Sequence, residues 1–260
     1  MTTFAVFPLR FSDDPAAMIE FLRLLGLRPA VTTEGDSFAT LVAPGGGRVK
    51  GLSGGGGATR AAAGETQLCL AVEDTDSAAE TLRAAGLEVR VWDETYGRQG
   101  LVIGPHGEGI ALNEEQKDLY GYVGHDPAAS GDQHDLTVSA VRASAEGTER
   151  QADVAFFGAA GFDPVGPGDE WWQALTAPGA GVIGLHAPSG AGEEISRATG
   201  TEFGDIALVR LGAETDEDLE HLSARLTAAG HVARVVEEDV RSVHVTDPDG
   251  QHLEIHPRSR

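Results

Sequence analysis

Asp247-Pro-Asp-Gly-Gln-His-Leu-Glu-Ile255, near the end of the chain, lines up with Gly104-Pro-His-Gly-Glu-Gly-Ile-Ala-Leu112. Each stretch is a turn-forming segment that leads into a short apolar strand. Working back from both copies, Thr227-Ala-Ala-Gly230 matches Arg83-Ala-Ala-Gly86, and Trp172-Gln-Ala-Leu-Thr-Ala-Pro178 matches Phe38-Ala-Thr-Leu-Val-Ala-Pro44. Further back, Asp153-Val-Ala-Phe-Phe-Gly-Ala-Ala-Gly161 matches Met18-Ile-Glu-Phe-Leu-Arg-Leu-Leu-Gly26. Matches in one order at similar intervals are the signature of an internal repeat. The copies run over 1–118 and 133–260, joined by a linker at 119–132 rich in Gly, Asp, Pro and Ser.

Each copy contains two helices. Asp14 is placed to cap the first, Pro15 suits its first turn, and Gly26 is placed to take the left-handed conformation that ends it. A second helix begins near Asp76 and ends at Gly86. In the later copy, Thr215 with Asp218 three residues on resembles a capping box, and Gly230 ends that helix. Short strands separate the helices: Phe38 to Ala43, Arg48 to Leu52, Leu68 to Val72, Leu87 to Trp92 and Leu101 to Ile103 in the first copy. The expected fold is α+β: one strand, one helix and three strands, taken twice per copy, curling into an eight-stranded sheet with its helices outside. The polar runs Gly54 to Gly64 and Ser189 to Gly200 read as connections between paired modules. The first lacks the Gly-Lys-Ser/Thr ending of a phosphate loop.

The chain has 260 residues, 41 of them acidic and 19 basic, for a net charge of −22. Phosphate-rich partners would meet a repulsive field, so nucleic acid and anionic membranes are not expected, whereas a cationic ligand would be drawn in. No apolar run is long enough to span a bilayer and the first residues carry no secretory pattern, so the expected location is cytoplasmic. A lone cysteine, Cys69, rules out an intramolecular disulfide; it sits in an apolar strand and reads as a packing residue.

The order of elements, Leu-Gly-Leu and Ala-Gly-Phe after the first helices, and Asp-Pro-Asp-Gly-Gln-His-Leu-Glu together resemble the vicinal oxygen chelate superfamily, the glyoxalase, bleomycin-resistance and extradiol-dioxygenase group. The resemblance implies paired βαβββ modules that curl into a ligand-holding cup, two such domains in tandem. It also implies, in metal-dependent members, one His on the first strand of each paired module and a Glu on a last strand. Two imidazoles and a carboxylate leave open positions on a divalent ion for two substrate oxygens. In the first copy the corresponding places are read as Val6, Gln67 and Ala111, which do not make that set. In the second, Glu254 matches the Glu, with Asp205 and His134 as the alternative partners for one divalent ion.

The leading expectation is therefore a cup without a cofactor that binds a small hydrophobic or cationic molecule, an antibiotic among the options. A metal-dependent lyase, isomerase or dioxygenase centred in the second domain is the alternative. Aromatic walls beside carboxylates suit a planar cation, and the candidate ligand residues are Phe38, Trp92, Tyr96, Trp172, His244 and Glu254. Two copies in one chain favour a monomer over a homodimer.

Overall fold

The structure is a computed structural model that describes residues 3–54, 61–94, 97–115, 119, 121–129, 135–188, 197–237 and 240–258. In the first half, β1 (Phe4–Val6) and β2 (Leu9–Ser12) precede α1 (Pro15–Leu25), β3 (Arg28–Thr32), β4 (Phe38–Val42) and β5 (Arg48–Ser53). Then come β6 (Thr66–Gln67), β7 (Cys69–Val72), α2 (Thr75–Ala84), β8 (Val89–Glu94), β9 (Gly97–Ile103) and β10 (Gly109–Glu114). The junction contributes β11 (Val123–Gly124) and one short 3-10 turn, so part of the expected linker is paired to the edge of the first half.

The second half opens with β12 (Leu136–Ala143), α3 (Thr148–Ala159), β13 (Asp163–Pro164), β14 (Trp172–Thr176) and β15 (Val182–His186). A hairpin of β16 (Arg197–Thr201) and β17 (Gly204–Ala207) follows, so the end of the second polar run is strand rather than plain connection. The last module is β18 (Arg210–Thr215), α4 (Leu219–Ala228), β19 (Ala233–Val236), β20 (Ser242–Thr246) and β21 (His252–Pro257). The chain is thus four βαβββ modules with helices outside curled sheets.

Helix ends follow local chemistry. The Asp14 side chain accepts the Ala17 N–H at 3.0 Å, and Gly26 closes α1 at φ 115. In α4 the cap is Asp218, which accepts the His221 N–H at 3.0 Å. Thr215 is still in β18, where its hydroxyl accepts the Glu217 N–H, so the expected capping box starts the helix three residues too early.

In the second half the eight strands other than the β16–β17 hairpin form one sheet, in the order β13-β14-β15-β12-β18-β21-β20-β19. The first half has the same order, but its central pair is broken. β2 and β6 belong with β3, β4 and β5, whereas β1 and β7 belong with β8, β9 and β10. Pro8 is the reason on one strand: it has no N–H to give the ladder, and its ring fixes the backbone between β1 and β2. At the break, the hairpin of the second half enters. The Leu68 N–H binds the Ala207 carbonyl at 2.8 Å, the Val209 N–H binds that of Thr66 at 2.9 Å, and β17 lies parallel to β10.

The main apolar core runs through both halves, from Phe4 and Met18 to Val243 and Ile255. At its centre two hairpin turns meet. Val6 N–H donates to Ala180 O at 2.7 Å, Gly45 N–H to Leu136 O at 2.8 Å and Val138 N–H to Gly46 O at 3.0 Å. No helix among the described residues is long and apolar enough to cross a membrane.

Candidate functional site

Strand alternation assigns the two faces of the second sheet. Val138 and Ala140 of β12, Ala213 of β18, Val243 and Val245 of β20, and Leu253 and Ile255 of β21 are buried in the core. Their neighbours Ser139, Val141, Gly212, His244, Glu254 and His256 therefore lie on the opposite, concave face. Ser139, Gly212 and Glu254 form one cross-strand row, extended by His244 opposite Glu254.

The wall of this face is Trp172. Its indole lies across Gly184, where a Cβ would collide with the ring and would also stand 3.1 Å from Val141 Cγ2. The same Val141 methyl group is 3.6 Å from the Cβ position of Gly212. Trp172, Val141, Gly212 and Glu254 are thus consecutive neighbours across the floor, and two glycines keep it free of side chains. His186 meets the indole edge-on, with ring centroids 6.1 Å apart. Trp171, one residue earlier, points away and is 55% exposed.

Glu254 is half exposed and pairs with His256, Oε2 to Nε2 3.4 Å. The hydrogen bond from His256 holds its carboxyl below the usual carboxylate range; burial opposes this, and the charges of His244, His256 and Arg210 add to it. An ionised carboxylate on the same face as an aromatic wall, here with β15, β12 and β18 between them, suits a planar cation.

The concave face of the first half has another character. The row equivalent to Ser139, Gly212 and Glu254 is Phe7, Cys69 and Ala111: the Phe7 N–H binds Cys69 O at 2.9 Å, and Ala111 is the partner of Cys69 on β10. These residues, with Ala71, form a small apolar cluster separate from the main core. Val6 points instead into the core, and Gln67 lies two residues from the row, hydrogen-bonded to Glu65. The sequence register for the first half was therefore off at two of its three positions.

Phe38 and Lys50 stand on the same concave face, since Leu41, Val49 and the Ile19-facing Gly51 mark the other. Phe38 touches Tyr122 with ring centroids 5.2 Å apart. Trp92 follows the same row through Gln99 to Asn113, and stacks on Phe203 of the second-half hairpin at 5.1 Å. Buried Cys69 accepts a hydrogen bond from the Asn113 amide at 3.0 Å, and burial pushes its thiol up to about 12. It stays protonated at neutral pH, as a packing residue should.

The six candidate ligand residues divide accordingly: Trp172, His244 and Glu254 share the second face, Phe38 and Trp92 share the first, and Tyr96 lies outside the described residues. The two described members of the alternative metal set, Asp205 and Glu254, lie in different sheets. His134 lies outside the described residues, and Asp205 sits on β17, added to the sheet of the first half, beside Arg197 at 4.0 Å. The sequence register placed Asp205 on the first strand of the last module, but that strand is β18, five residues later. Among the described residues no three His, Cys, Asp or Glu side chains converge on a metal position. The row in line with Glu254 offers a hydroxyl and a glycine where two imidazoles would be needed, so these residues do not fit the two-His, one-carboxylate set. Sequence reasoning passed over Lys50, Asn113, Gly184 and Gly212. The rarity of lysine was visible, with two in the chain, but its meaning depends on the strand face it occupies.

No protein-family model and no curated protein matches the chain. Solved structures do. A homoprotocatechuate 2,3-dioxygenase from Brevibacterium fuscum, in an anaerobic complex with 3,4-dihydroxyphenylacetate, superposes with a TM-score of 0.61 at 13% identity, covering 100% of this chain and 81% of that one. The Mn(II)-bound glyoxalase from Novosphingobium aromaticivorans gives 0.56 at 16% identity, covering 97% and 80%. A catechol 2,3-dioxygenase gives 0.57 at 12%, covering 98% and 88%. The fold that the resemblance implied is the fold the chain has. The expectation of a protein that works without a cofactor is corrected at the same point: this is a fold whose solved examples include a Mn(II)-bound enzyme.

Proposed function

We propose that the protein binds a planar, positively charged organic molecule on the concave face of its second sheet. Trp172 and Val141 would lie under the rings, and Glu254 would face the positive charge. The observation that carries this reading is the floor from the indole over Gly184, across Val141 and Gly212, to the strand that carries Glu254. Stacking on an indole and attraction to a nearby carboxylate reinforce each other when one ligand makes both contacts. The overall charge of −22 favours the approach of a cation, an effect that salt weakens. A cationic antibiotic is one class of such ligand.

A second reading places conversion of the bound molecule, as a lyase, isomerase or dioxygenase, on this same face. It is favoured by the catalytic names of the similar solved structures and by Glu254, which occupies the last-strand position. Here Glu254 would hold or accept a proton, with His256 and His244 as its neighbours.

Proflavine, a planar aromatic cation, tests the binding reading in protein whose other tryptophans are replaced, Trp92→Phe with Trp171→Phe. Titration should quench Trp172 emission, and Glu254→Gln should weaken binding a few-fold, in line with ~0.2–1 kcal/mol for a half-exposed charge pair. Quenching that is absent, or equal in Glu254→Gln, overturns the reading. Chemical change of a bound ligand that stops in Glu254→Gln would select the enzyme.

A further inference from the structure

Lys50 is one of two lysines in a chain with 41 acidic residues, yet no carboxylate pairs with it among the described residues. Its strand neighbours face the core, so the amine is directed over the concave face of the first half. The Nζ atom stands 5.2 Å from the Phe7 ring centroid and 5.7 Å from that of Phe38. It donates to Asn113 Oδ1 at 3.0 Å, while the Asn113 amide nitrogen is committed to Cys69 Sγ. One of three ammonium donors is thereby used. Below it lies the apolar cluster of Phe7, Cys69 and Ala71, with Leu9 and Ala111 at its margin.

We propose that this face is a second ligand site, one that takes a small aromatic carboxylate, with Lys50 as its counter-cation and Phe7 and Phe38 as the aromatic contacts. A cation over two aromatic faces is stabilised, and with Asn113 as its hydrogen-bond partner among the described residues it keeps two donors for a ligand. Consistent with this, burial holds the Lys50 ammonium below the ordinary lysine range. A ligand carboxylate supplies the opposite charge and accepts from the donors that Asn113 leaves. The apolar cluster fits a ring attached to it. Arg48, the other cation on β5, is already paired with Glu115. With one unpaired cation present, a monoanion fits better than a doubly charged phosphate. The site shares no residue with the Trp172–Glu254 face, so either can fail without the other.

The low lysine count makes the test direct. In protein labelled with a stable isotope at lysine Cε, two side-chain signals appear, and the one lost in Lys50→Met belongs to Lys50. Benzoate should move that signal and raise the apparent pKa of Lys50, because a nearby anion favours the charged amine. Calorimetry should show benzoate binding at least tenfold weaker in Lys50→Met and largely retained in Lys50→Arg, with benzylamine not binding at this site. A Lys50 signal indifferent to benzoate overturns the proposal, and so does benzoate affinity that is unchanged in Lys50→Met. Because the isotope titration uses the unaltered protein, a folding defect in Lys50→Met does not spare the proposal.

Discussion

Glu254 shows what one residue draws from its neighbours. Its carboxyl is held below the ordinary range chiefly by His256, so the folded-state pKa is lower than the unfolded one. The stability that this pairing contributes is present above the unfolded value, about 4.3 for a glutamate, and is lost as pH falls through the lower folded value. Following the Glu254 carboxyl carbon through an NMR pH titration should give a midpoint below the ordinary glutamate value, and His256→Gln should bring it back towards normal. A midpoint that His256→Gln leaves in place would contradict the assigned cause. Glu254 was legible in the sequence because a conspicuous turn, Asp247 to Gly250, fixes its register. Asp205 was misread because the extra hairpin of β16 and β17 lies before β18, and a short Gly-Asp-Ile-Ala strand looks alike whether it opens a module or precedes one. Lys50 was passed over for another reason. A cation on an alternating strand is ordinary until the opposite face is seen to be core and no acid is seen beside it.

At the scale of elements, the paired turns at Ala43–Gly47 and Ala177–Gly181 join the two halves. A Cβ on Gly181 would stand 2.8 Å from the Val138 carbonyl oxygen and 3.1 Å from Val6 Cβ, at φ 83. Gly179 has a similar left-handed backbone, φ 69, but open space around it. Gly179→Ala should therefore cost only the left-handed strain of about 1–2 kcal/mol. Gly181→Ala should add an overpacking term of roughly 1–3 kcal/mol. Chemical denaturation of both variants measures the difference, and equal losses would show that the turns do not meet as closely as described. The repeat of Ala-Pro-Gly in both copies was plain in the sequence, but it gave only a turn. That the two turns press on each other follows from the placement of the halves, which no local pattern encodes. The split of the first sheet is intermediate: Pro8 announces a break, while the strand that fills it comes from the other half.

For the whole molecule, the turn that anchored the sequence alignment also fastens the halves together. The Asp247 carboxylate receives Arg10 of β2, and Asp249 receives Arg10 at 3.4 Å and the Ser12 hydroxyl at 2.9 Å. In the equivalent place, Glu108 of the first half receives Arg142 of β12 at 2.6 Å, with Asp153 3.5 Å from the same guanidinium. All of these side chains are at most 6% exposed, so removing one partner leaves an uncompensated buried charge. Arg142→Met should lower unfolding stability by about 3–5 kcal/mol. Adding Glu108→Gln should restore part of it, since the two sites are coupled. A loss near zero for Arg142→Met would mean that the clasp contributes nothing beyond packing. We propose that 1–118 and 133–260 divide the sequence repeat without dividing the core, which is continuous through both.

The central claim is that Trp172 and Glu254 act on one ligand across the floor of the second face, and isothermal titration calorimetry with proflavine tests it in a double-mutant cycle. Trp172→Ala and Glu254→Gln are each expected to weaken binding, and the double variant to lose less than the two single losses combined, because both contacts depend on one bound pose. Wild-type affinity in both single variants, or no binding by the unaltered protein, would contradict it.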